Sequence, residues 1–305
     1  MTVAVQVLAL VMILALAPLF PGVVWRTKSL LTGRRGPPLL QLYADLDKLW
    51  KKGAVYSTTT GLVFRLAPAI FAGTTLVAAS LLPLDGRAAP LRFAADVVAF
   101  AGLLALGRFA LVLAAMDTGS SFEGMGASRE ATFGSLVEPG LFLCFAALAI
   151  ATDGTSLTTM LGQNLAAVWG DAAPALVMVG ASLFVLALAE NGRVPVDDPA
   201  THLELTMIHE VMVLDHGGPD LALILYAGAV KLALFGAMLV SLLIPRGGLP
   251  PALSVAVLVA GLAVTAVAVG VVEGVMARLR LTRVPQFLVA ASVLSTFAIM
   301  LLLSA

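Results

Sequence analysis

The chain has 305 residues, with 18 basic and 18 acidic residues and a formal net charge of zero. Hydrophobic residues make up 60% of it and charged residues only 12%, and its mean hydropathy is +1.02. Charged residues form about a quarter of an ordinary soluble domain, so this composition excludes that class. We expect the lipid bilayer, and no nucleic acid, among its partners.

Apolar runs recur along the whole chain, and a bilayer-spanning helix needs about 20 such residues. The sequence predicts an all-α, polytopic membrane protein with about eight transmembrane helices, forming a single integral membrane domain over residues 1–305. The first run lacks a basic n-region and a clear cleavage site, so we interpret it as a retained span. The predicted spans are residues 3–24, 62–84, 91–115, 137–152, 173–191, 221–244, 250–273 and 285–304.

The first predicted loop, residues 25–61, contains a helical pattern after Pro37 and Pro38. Its apolar residues follow i, i+3, i+4, i+7 spacing and its charged residues occupy other positions, which predicts an amphipathic helix in the membrane interface, anchored by Tyr43 and Trp50. A surface strut and a rim beside a partner subunit both fit this helix. The apolar stripe is Leu39, Leu42, Tyr43, Leu46, Leu49 and Trp50.

The second predicted loop, residues 116–136, is rich in glycine, which permits tight turns. Nucleotide binding is not indicated, because no Gly-Lys-Ser/Thr follows the glycines and no strand precedes them. Ser128 is predicted to cap a helix that starts after it. Arg129 and Glu130 are adjacent on that helix, so they should point apart and need separate partners.

Charged residues concentrate in the segment from Leu188 to Asp215. Ionisable residues at the end of a membrane span are energetically costly, so this cluster predicts a functional site. Its members are Glu190, Arg193, Asp197, Asp198, His202, Glu204, His209, Glu210 and Asp215.

The three histidines of the chain, His202, His209 and His216, are spaced seven residues apart. Seven residues rise about 10.5 Å along a helix, too far for two imidazoles to share one metal. The zinc-protease motif is also incomplete, because its second histidine would stand at Val213. We therefore predict no metal site.

A helix that begins with Asp198 as its N-cap and Pro199 at its first position would project His202 and His209 the same way. Histidine titrates near neutrality, so this stripe could pass protons. A capped surface helix with interfacial histidines fits the same pattern, and both interpretations stay open.

Several ionisable residues fall within or at the ends of the predicted spans. Glu138 opens the fourth span, and Glu190 and Glu273 close the fifth and seventh, where a carboxylate can reach water. Lys231 lies in the middle of the sixth span, so we expect it to pair with an interior carboxylate or a neighbouring subunit. Arg193 follows Glu190 by three residues and could hold it ionised or bind a partner. Arg65, Asp96 and Arg108 lie within spans and could reach the surface from less central depths.

The single cysteine, Cys144, lies in a predicted span. It forms no intrachain disulfide, and it cannot hold an iron–sulfur cluster, which takes about four thiolates. We expect the chain to bind no cofactor, so any electron transfer must occur in a partner.

An even number of spans places both termini on one side of the membrane. The opposite side receives residues 25–61, 116–136, 192–220 and 274–284, which hold most of the basic residues. Basic loops stay in the cytoplasm, so both termini are predicted to lie outside.

Segments in three separate predicted loops resemble the complex I subunit 1 family. The family's Glu-x-x-Arg-x-Pro-x-Asp core stands here as Glu190, Arg193, Pro195 and Asp197. The basic Arg34-Arg35-Gly36-Pro37 resembles the family's Gly-Pro motif, although the Asn that commonly follows is Pro38 here. The segments 116–130 and 202–210 are similar to the branch called formate hydrogenlyase subunit 4 or hydrogenase-4 component C. Two further functions remain as alternatives.

The resemblance implies a membrane-anchor and proton-coupling subunit of a complex I-like NiFe hydrogenase or formate hydrogenlyase. The expected partners are hydrogenase large and small subunits, which would carry the NiFe centre and iron–sulfur clusters, and antiporter-like membrane subunits, in a bacterial or archaeal plasma membrane. The predicted proton-pathway residues are Glu138, Glu190, Asp197, Glu204, Glu210 and Lys231. The predicted partner-docking residues are Arg34, Arg35, Asp117, Arg129, Glu130, Arg193, Asp198, His202 and His209.

The alternatives are a quinone-binding subunit 1 of an NADH dehydrogenase and an independent secondary transporter. The chain departs from the quinone-binding pattern at Val196, usually Phe, and at His202, usually an acid. Transporters often contain two related halves, and the sequence shows no convincing internal repeat.

Overall fold

The structure is a computed structural model that describes residues 2–162, 165–198 and 207–304. The regular elements in these ranges are helices. They are α1 (Thr2–Leu16), α2 (Leu19–Leu31), α3 (Gln41–Trp50), α4 (Leu62–Ser80), α5 (Asp96–Asp117), α6 (Ser121–Thr152), α7 (Leu157–Leu161), α8 (Leu165–Glu190), α9 (Gly218–Leu243), α10 (Pro251–Val275) and α11 (Val284–Ser304), with short 3-10 helices at Glu210–Val213 and Leu281–Arg283.

Within the described residues, seven helices are long and apolar enough to cross a membrane. They are α4, α5, α6, α8, α9, α10 and α11, the last counted from Leu281. The pair α1 and α2 adds an eighth if the two are one span bent by 44°. The prediction of an all-α polytopic protein with about eight spans is confirmed.

The first predicted span differs from the structure in shape and length. It is broken after Leu16, where Pro18 supplies no backbone N–H and its ring crowds the preceding turn. The second half, α2, runs on to Leu31. Lys28 therefore stands on a helix, where the sequence predicted a loop.

The glycine-rich segment before Glu138 is mostly helical, so the predicted loop was wrong. Helix α6 begins at Ser121, and Ser128 donates a hydrogen bond to the Met125 carbonyl from inside it instead of capping it. Gly126 lies against Val211 and the Ile208 carbonyl, where a Cβ would clash. Close packing thus overrides the low helix propensity of glycine, and Glu138 lies in mid-helix.

The predicted amphipathic helix is present as α3, after Pro37 and Pro38. Leu42 and Leu46 are buried and cluster with apolar residues of α9. The Tyr43 hydroxyl donates to the Ala15 carbonyl at 2.5 Å, which ties α3 to the end of α1. Trp50 is exposed, so the stripe is only partly covered within this chain.

The helices are arranged around α9. Helix α4 packs on α5 and α9, α11 on α6 and α8, and α10 on α2. The apolar window of α9 is 78% buried, against 33% for α10 and 22% for the last span. A charged side chain on α9 therefore points into protein more readily than one on the outer helices.

The end of the bundle opposite residues 191–198 and 207–217 also buries charge. The side chain of Arg246 is almost fully buried, and it donates to the carbonyls of Leu84 and Ser254 and to the Ser241 hydroxyl. The Asp96 carboxylate there accepts hydrogen bonds from the Ser156 hydroxyl and from the backbone N–H of Leu157. These contacts connect α5, α7, α9 and α10 at this end.

Candidate functional site

Charged side chains from four helices meet beneath residues 191–198 and 207–217, with Arg108 at their centre. The Arg108 guanidinium on α5 lies 3.0 Å from Glu138, 3.5 Å from Glu190 and 3.9 Å from Glu130. Gly134 on α6 leaves the room for this guanidinium, because a Cβ there would collide with it. Glu130, Glu190 and Arg108 are buried, whereas Glu138 is partly exposed.

Arg108 was not among the residues predicted for the site. The sequence suggested that it reaches the membrane surface, and the structure instead surrounds it with three carboxylates. An arginine inside a span is itself costly, so its position was a signal that could have identified it. The long-range pairing, from residue 108 to residue 190, was not visible in sequence.

Lys231 on α9 pairs with Glu190 at the end of α8, with Nζ 2.9 Å from Oε1. This is the interior carboxylate that the mid-span position of Lys231 predicted. The expected pair between Arg193 and Glu190 is absent among the described ion pairs. Gly192 has a positive φ of 58°, and it turns the chain so that Arg193 lies 3.3 Å from Glu273 on α10.

His209 lies between two carboxylates. Its Nε2 is 3.2 Å from Glu130 on α6, and its Nδ1 is 3.2 Å from Asp197. Asp197 also accepts the backbone N–H groups of Ile208 and His209 and lies 3.0 Å from Arg278. His209 therefore joins Glu130 on helix α6 to Asp197 in the loop.

These surroundings shift both pKa values. Burial raises the pKa of Asp197, but the hydrogen bond and charge of His209, together with Arg278, outweigh it and place the pKa below its ordinary value. Burial lowers the pKa of His209, but the charge of Glu130 and the bond to Asp197 outweigh it and place the pKa above its ordinary value. Both shifts favour the ionised pair.

These contacts form one continuous series of paired charges, which we call the charge chain. Its members are Lys231, Glu190, Arg108, Glu138, Glu130, His209, Asp197 and Arg278. A second group, which we call the loop clasp, consists of Arg193, Glu273, Lys28 and Asp198. In the clasp, Lys28 lies 3.1 Å from Asp198 and 3.8 Å from Glu273.

A cavity of about 420 Å³ opens beside the charge chain. Its walls are mostly apolar, with Trp25, Leu42 and Phe71 among them, and its polar end includes Glu190 and Lys231. Cavities of about 300–1,000 Å³ are usual for small ligands. A much smaller void, of about 10 Å³, lies among Arg108, Glu130, Glu190 and His209, roughly the space that one water needs.

The predicted docking residues have different surroundings. Arg34 and Arg35 are exposed. Asp117 accepts the backbone N–H groups of Gly61 and Phe64 and so caps α4. Arg129 donates to the Met207 carbonyl at 2.9 Å. Docking to a partner stays a prediction for all of them. Glu130 and His209 belong to the charge chain, and Arg193 and Asp198 to the loop clasp.

The remaining predicted site residues are His202, Glu204 and Glu210. His202 and Glu204 lie outside the described residues, and Glu210 lines the large cavity. Met207 and Ile208 are not helical, so the continuous helix expected from Asp198 through His209 was wrong. The spacing of seven therefore has no helical meaning here. His216 is buried and stacks on Phe64 with ring centroids 3.9 Å apart.

The fold and the charge chain define a class of protein, a multi-pass membrane protein that buries a series of paired charges at one end. Comparison with known proteins identifies the family. The model described as NADH dehydrogenase matches residues 3–304, and the chain belongs to that family, which includes complex I subunit 1-like proteins.

Two relatives, both from Escherichia coli (strain K12), indicate the branch. Hydrogenase-4 component C is 36% identical over 258 residues, which cover 84% of this chain and 79% of the relative. Formate hydrogenlyase subunit 4 is 30% identical over 294 residues, which cover 94% of each. The resemblance to this branch, predicted from three segments, is confirmed.

A solved structure shares the fold. A chain in the structure of the membrane-bound sulfane sulfur reductase, an archaeal respiratory membrane complex, matches with a TM-score of 0.83. The match covers 99% of this chain and 100% of that chain at 20% identity. At that identity the likeness shows the fold alone.

Proposed function

We propose that the chain is the membrane-anchor and proton-coupling subunit of a complex I-like membrane-bound NiFe hydrogenase or formate hydrogenlyase. The observation that carries this proposal is the charge chain, in which each member lies within 3.9 Å of at least one other member and Glu138 branches from Arg108. It begins at Lys231 in the interior of the bundle and ends at Asp197 and Arg278 in the loops. A path of this kind connects the membrane interior with a surface where a redox partner binds.

The short distances between titratable groups in the charge chain support this role. Protons pass between groups that are within hydrogen-bond reach or bridged by one water. Glu190, Glu130, His209 and Asp197 can each accept and release a proton, whereas Arg108 stays charged and stabilises the carboxylates around it. The small void among them has about the volume of one bridging water.

The exposure of the Glu138 side chain is an argument for a neighbouring membrane subunit. Its side chain is 44% exposed on α6, yet it pairs with the buried Arg108. A carboxylate facing lipid is costly, so we infer that another membrane protein covers it. An antiporter-like subunit at this surface would receive protons from the charge chain.

The exposed Arg34 and Arg35 fit the docking of a soluble redox arm, because exposed charges guide and orient association. We expect the hydrogenase large and small subunits there, with the NiFe centre and the iron–sulfur clusters. Cys144 is a single buried thiol and cannot hold a cluster. The basic loops are expected on the cytoplasmic side of a bacterial or archaeal plasma membrane, with both termini outside.

The test replaces Glu190 or Glu138 with Gln, which keeps the size and removes the titratable proton. Assembly, electron transfer to an artificial acceptor and proton-linked activity are measured on the purified complex in vesicles. We expect at least one variant to assemble and to reduce the acceptor normally while its proton-linked activity falls, because the redox groups are untouched.

Asp153→Asn is the matched control. Asp153 is exposed at the opposite end of the bundle with a φ of 50°, a conformation that Asn tolerates. It should behave as the unmodified complex in all three measurements. Full proton-linked activity in both glutamate variants would contradict the proposal.

A second candidate function, quinone binding, is favoured by the 420 Å³ cavity. Its apolar walls suit an isoprenoid tail, and its polar end at Lys231 and His209 offers donors to a carbonyl headgroup. Organic extraction of the purified complex would test it. A stoichiometric quinone that disappears in a variant with Ala229→Trp, which fills the cavity, would support this candidate.

A further inference from the structure

His209 occupies a distinctive place in the charge chain. On one side its Nε2 faces Glu130, which contacts Arg108 and through it the membrane part of the chain. On the other side its Nδ1 faces Asp197, which is held by Arg278 and by two backbone N–H groups. Both carboxylates are at least 95% buried, with exposed fractions of 5% and 2%.

The chemistry of imidazole makes this position sensitive to a single proton. The imidazolium carries a donor on each nitrogen, whereas the neutral ring carries only one. Protonated His209 can therefore bond Glu130 and Asp197 together, and neutral His209 can bond only one of them. The other carboxylate would then face a lone pair.

We propose that His209 passes protons between Glu130 and Asp197, and that its protonation closes the contact between the loop and helix α6. In the forward step, the Glu130 carboxyl releases a proton to Nε2 and becomes a carboxylate, which gives the imidazolium. Asp197 then takes the proton from Nδ1, which leaves the neutral ring with its proton on Nε2. The ring returns to its starting tautomer when water gives a proton to Nδ1 and then takes one from Nε2, so that each cycle gains and loses the same number of protons.

The local backbone provides room for the ring. A Cβ at Gly192 would lie 2.7 Å from Nδ1 of His209, so the glycine allows the imidazole to lie against the backbone turn. The small void on the Glu130 side gives the same ring space near Arg108 and Glu190. The ring is therefore closely enclosed between its carboxylate partners and the turn at Gly192, with space on the Glu130 side for about one water.

Charges from every surrounding element bear on this ring. The carboxylates raise its pKa above the ordinary histidine value, and Lys231 acts in the opposite direction, as burial does more strongly. The facing groups are Glu130 on α6, Arg108 on α5, Glu190 on α8, Lys231 on α9, and Asp197, Glu210 and Arg278 in the loops.

The inference rests on the proposed function, because proton-linked activity of the assembled complex is its readout. The key variant is His209→Lys. A lysine keeps a positive charge between the two carboxylates, but it does not titrate near neutral pH. His209→Gln removes the charge as well. His216→Gln is the matched control, since that histidine stacks on Phe64 and lies outside the charge chain.

The purified complex in vesicles is assayed from about pH 5 to pH 9, which covers the histidine range and its raised side. We expect the unmodified complex to lose proton-linked activity as the pH rises through the pKa of His209. We expect His209→Lys to assemble, to reduce an artificial acceptor normally, and to lose proton-linked activity by at least about tenfold, since a positioned proton donor contributes about 10²–10⁴-fold. His216→Gln should retain the pH profile of the unmodified complex.

Glu190→Gln is measured in parallel to separate the two proposals. If Glu190→Gln impairs proton-linked activity while His209→Lys keeps it, the proton-coupling role stands and the role of His209 is wrong. If neither of these variants nor Glu138→Gln impairs it, the proposed function itself falls. A flat pH profile of the unmodified complex also overturns the inference, whether or not the variants assemble.

Discussion

The two ends of the bundle bury charge in different ways. At one end, Arg108 meets three carboxylates, and His209 connects them to a further one. At the other end, Arg246 donates mainly to backbone carbonyls and a serine hydroxyl. Burial lowers the pKa of Arg246 to about 10, against the opposing effect of Asp85, so it stays charged at neutral pH.

The two ends differ in the groups that contact the buried arginine. A carboxylate or an imidazole is a titratable group that can take and release a proton, whereas a carbonyl or a serine hydroxyl is not. Proton transfer is therefore proposed only for the first end, and the contacts at the second end bind the helices together. A buried charge indicates a proton path only when its partners titrate.

The largest expected effect is a difference in thermal stability between variants of Arg108 and Arg246. Removing one partner of a buried ion pair leaves an uncompensated charge and costs about 3–5 kcal/mol, whereas an unsatisfied neutral group costs about 1–3 kcal/mol. Arg108→Gln should therefore lower the thermal stability of the purified complex more than Arg246→Gln does.

Thermal unfolding of the unmodified complex and of both variants checks this. Equal losses for the two variants would remove the distinction between the ends.

The second prediction concerns pH. The lowered pKa of Asp197 contributes stability that is present above its ordinary value of 3.8 and is lost as the pH falls through the lowered pKa. The raised pKa of His209 contributes stability that is present below its ordinary value of 6.5 and is lost as the pH rises through the raised pKa. Protection of residues 207–213 should therefore be greatest between these two ordinary values.

Hydrogen exchange of the assembled complex, corrected for the intrinsic effect of pH, measures this protection. Residues 246–254 at the other end are the internal control, because Arg246 keeps its charge throughout that range. Loop protection that does not decrease on the alkaline side would contradict the ion pairs of His209.

The smallest expected effect concerns the loop clasp. The Lys28 side chain is 24% exposed, so water screens its pairs with Asp198 and Glu273. Pairs of this kind contribute about 0–1 kcal/mol. Lys28→Met should reduce protection of residues 193–198 only slightly and leave proton-linked activity intact, with Lys51→Met, at the exposed residue that follows α3, as the control. A large loss of proton-linked activity would indicate that Lys28 takes part in proton transfer.

Much of the charged site was visible in the sequence, but its pairing was not. Glu190, Asp197, Glu138 and Lys231 stand out because charges are rare in so apolar a chain. The expected pair of Arg193 with Glu190 rested on their closeness in sequence. It was wrong because the turn at Gly192 sends Arg193 to Glu273 on α10.

The sequence by itself determined the class of fold, the number of spans and the family, because long apolar runs and local motifs depend only on neighbouring residues. Only the tertiary structure decided that the segment before Glu138 is helical, that Arg108 is the centre of the site and that His209 connects two carboxylates. Those features depend on contacts between residues far apart in the chain, such as Gly126 with Val211 and Arg108 with Glu190. Packing and charge pairing across such distances outweigh local propensity, and a single sequence does not specify which distant partners meet.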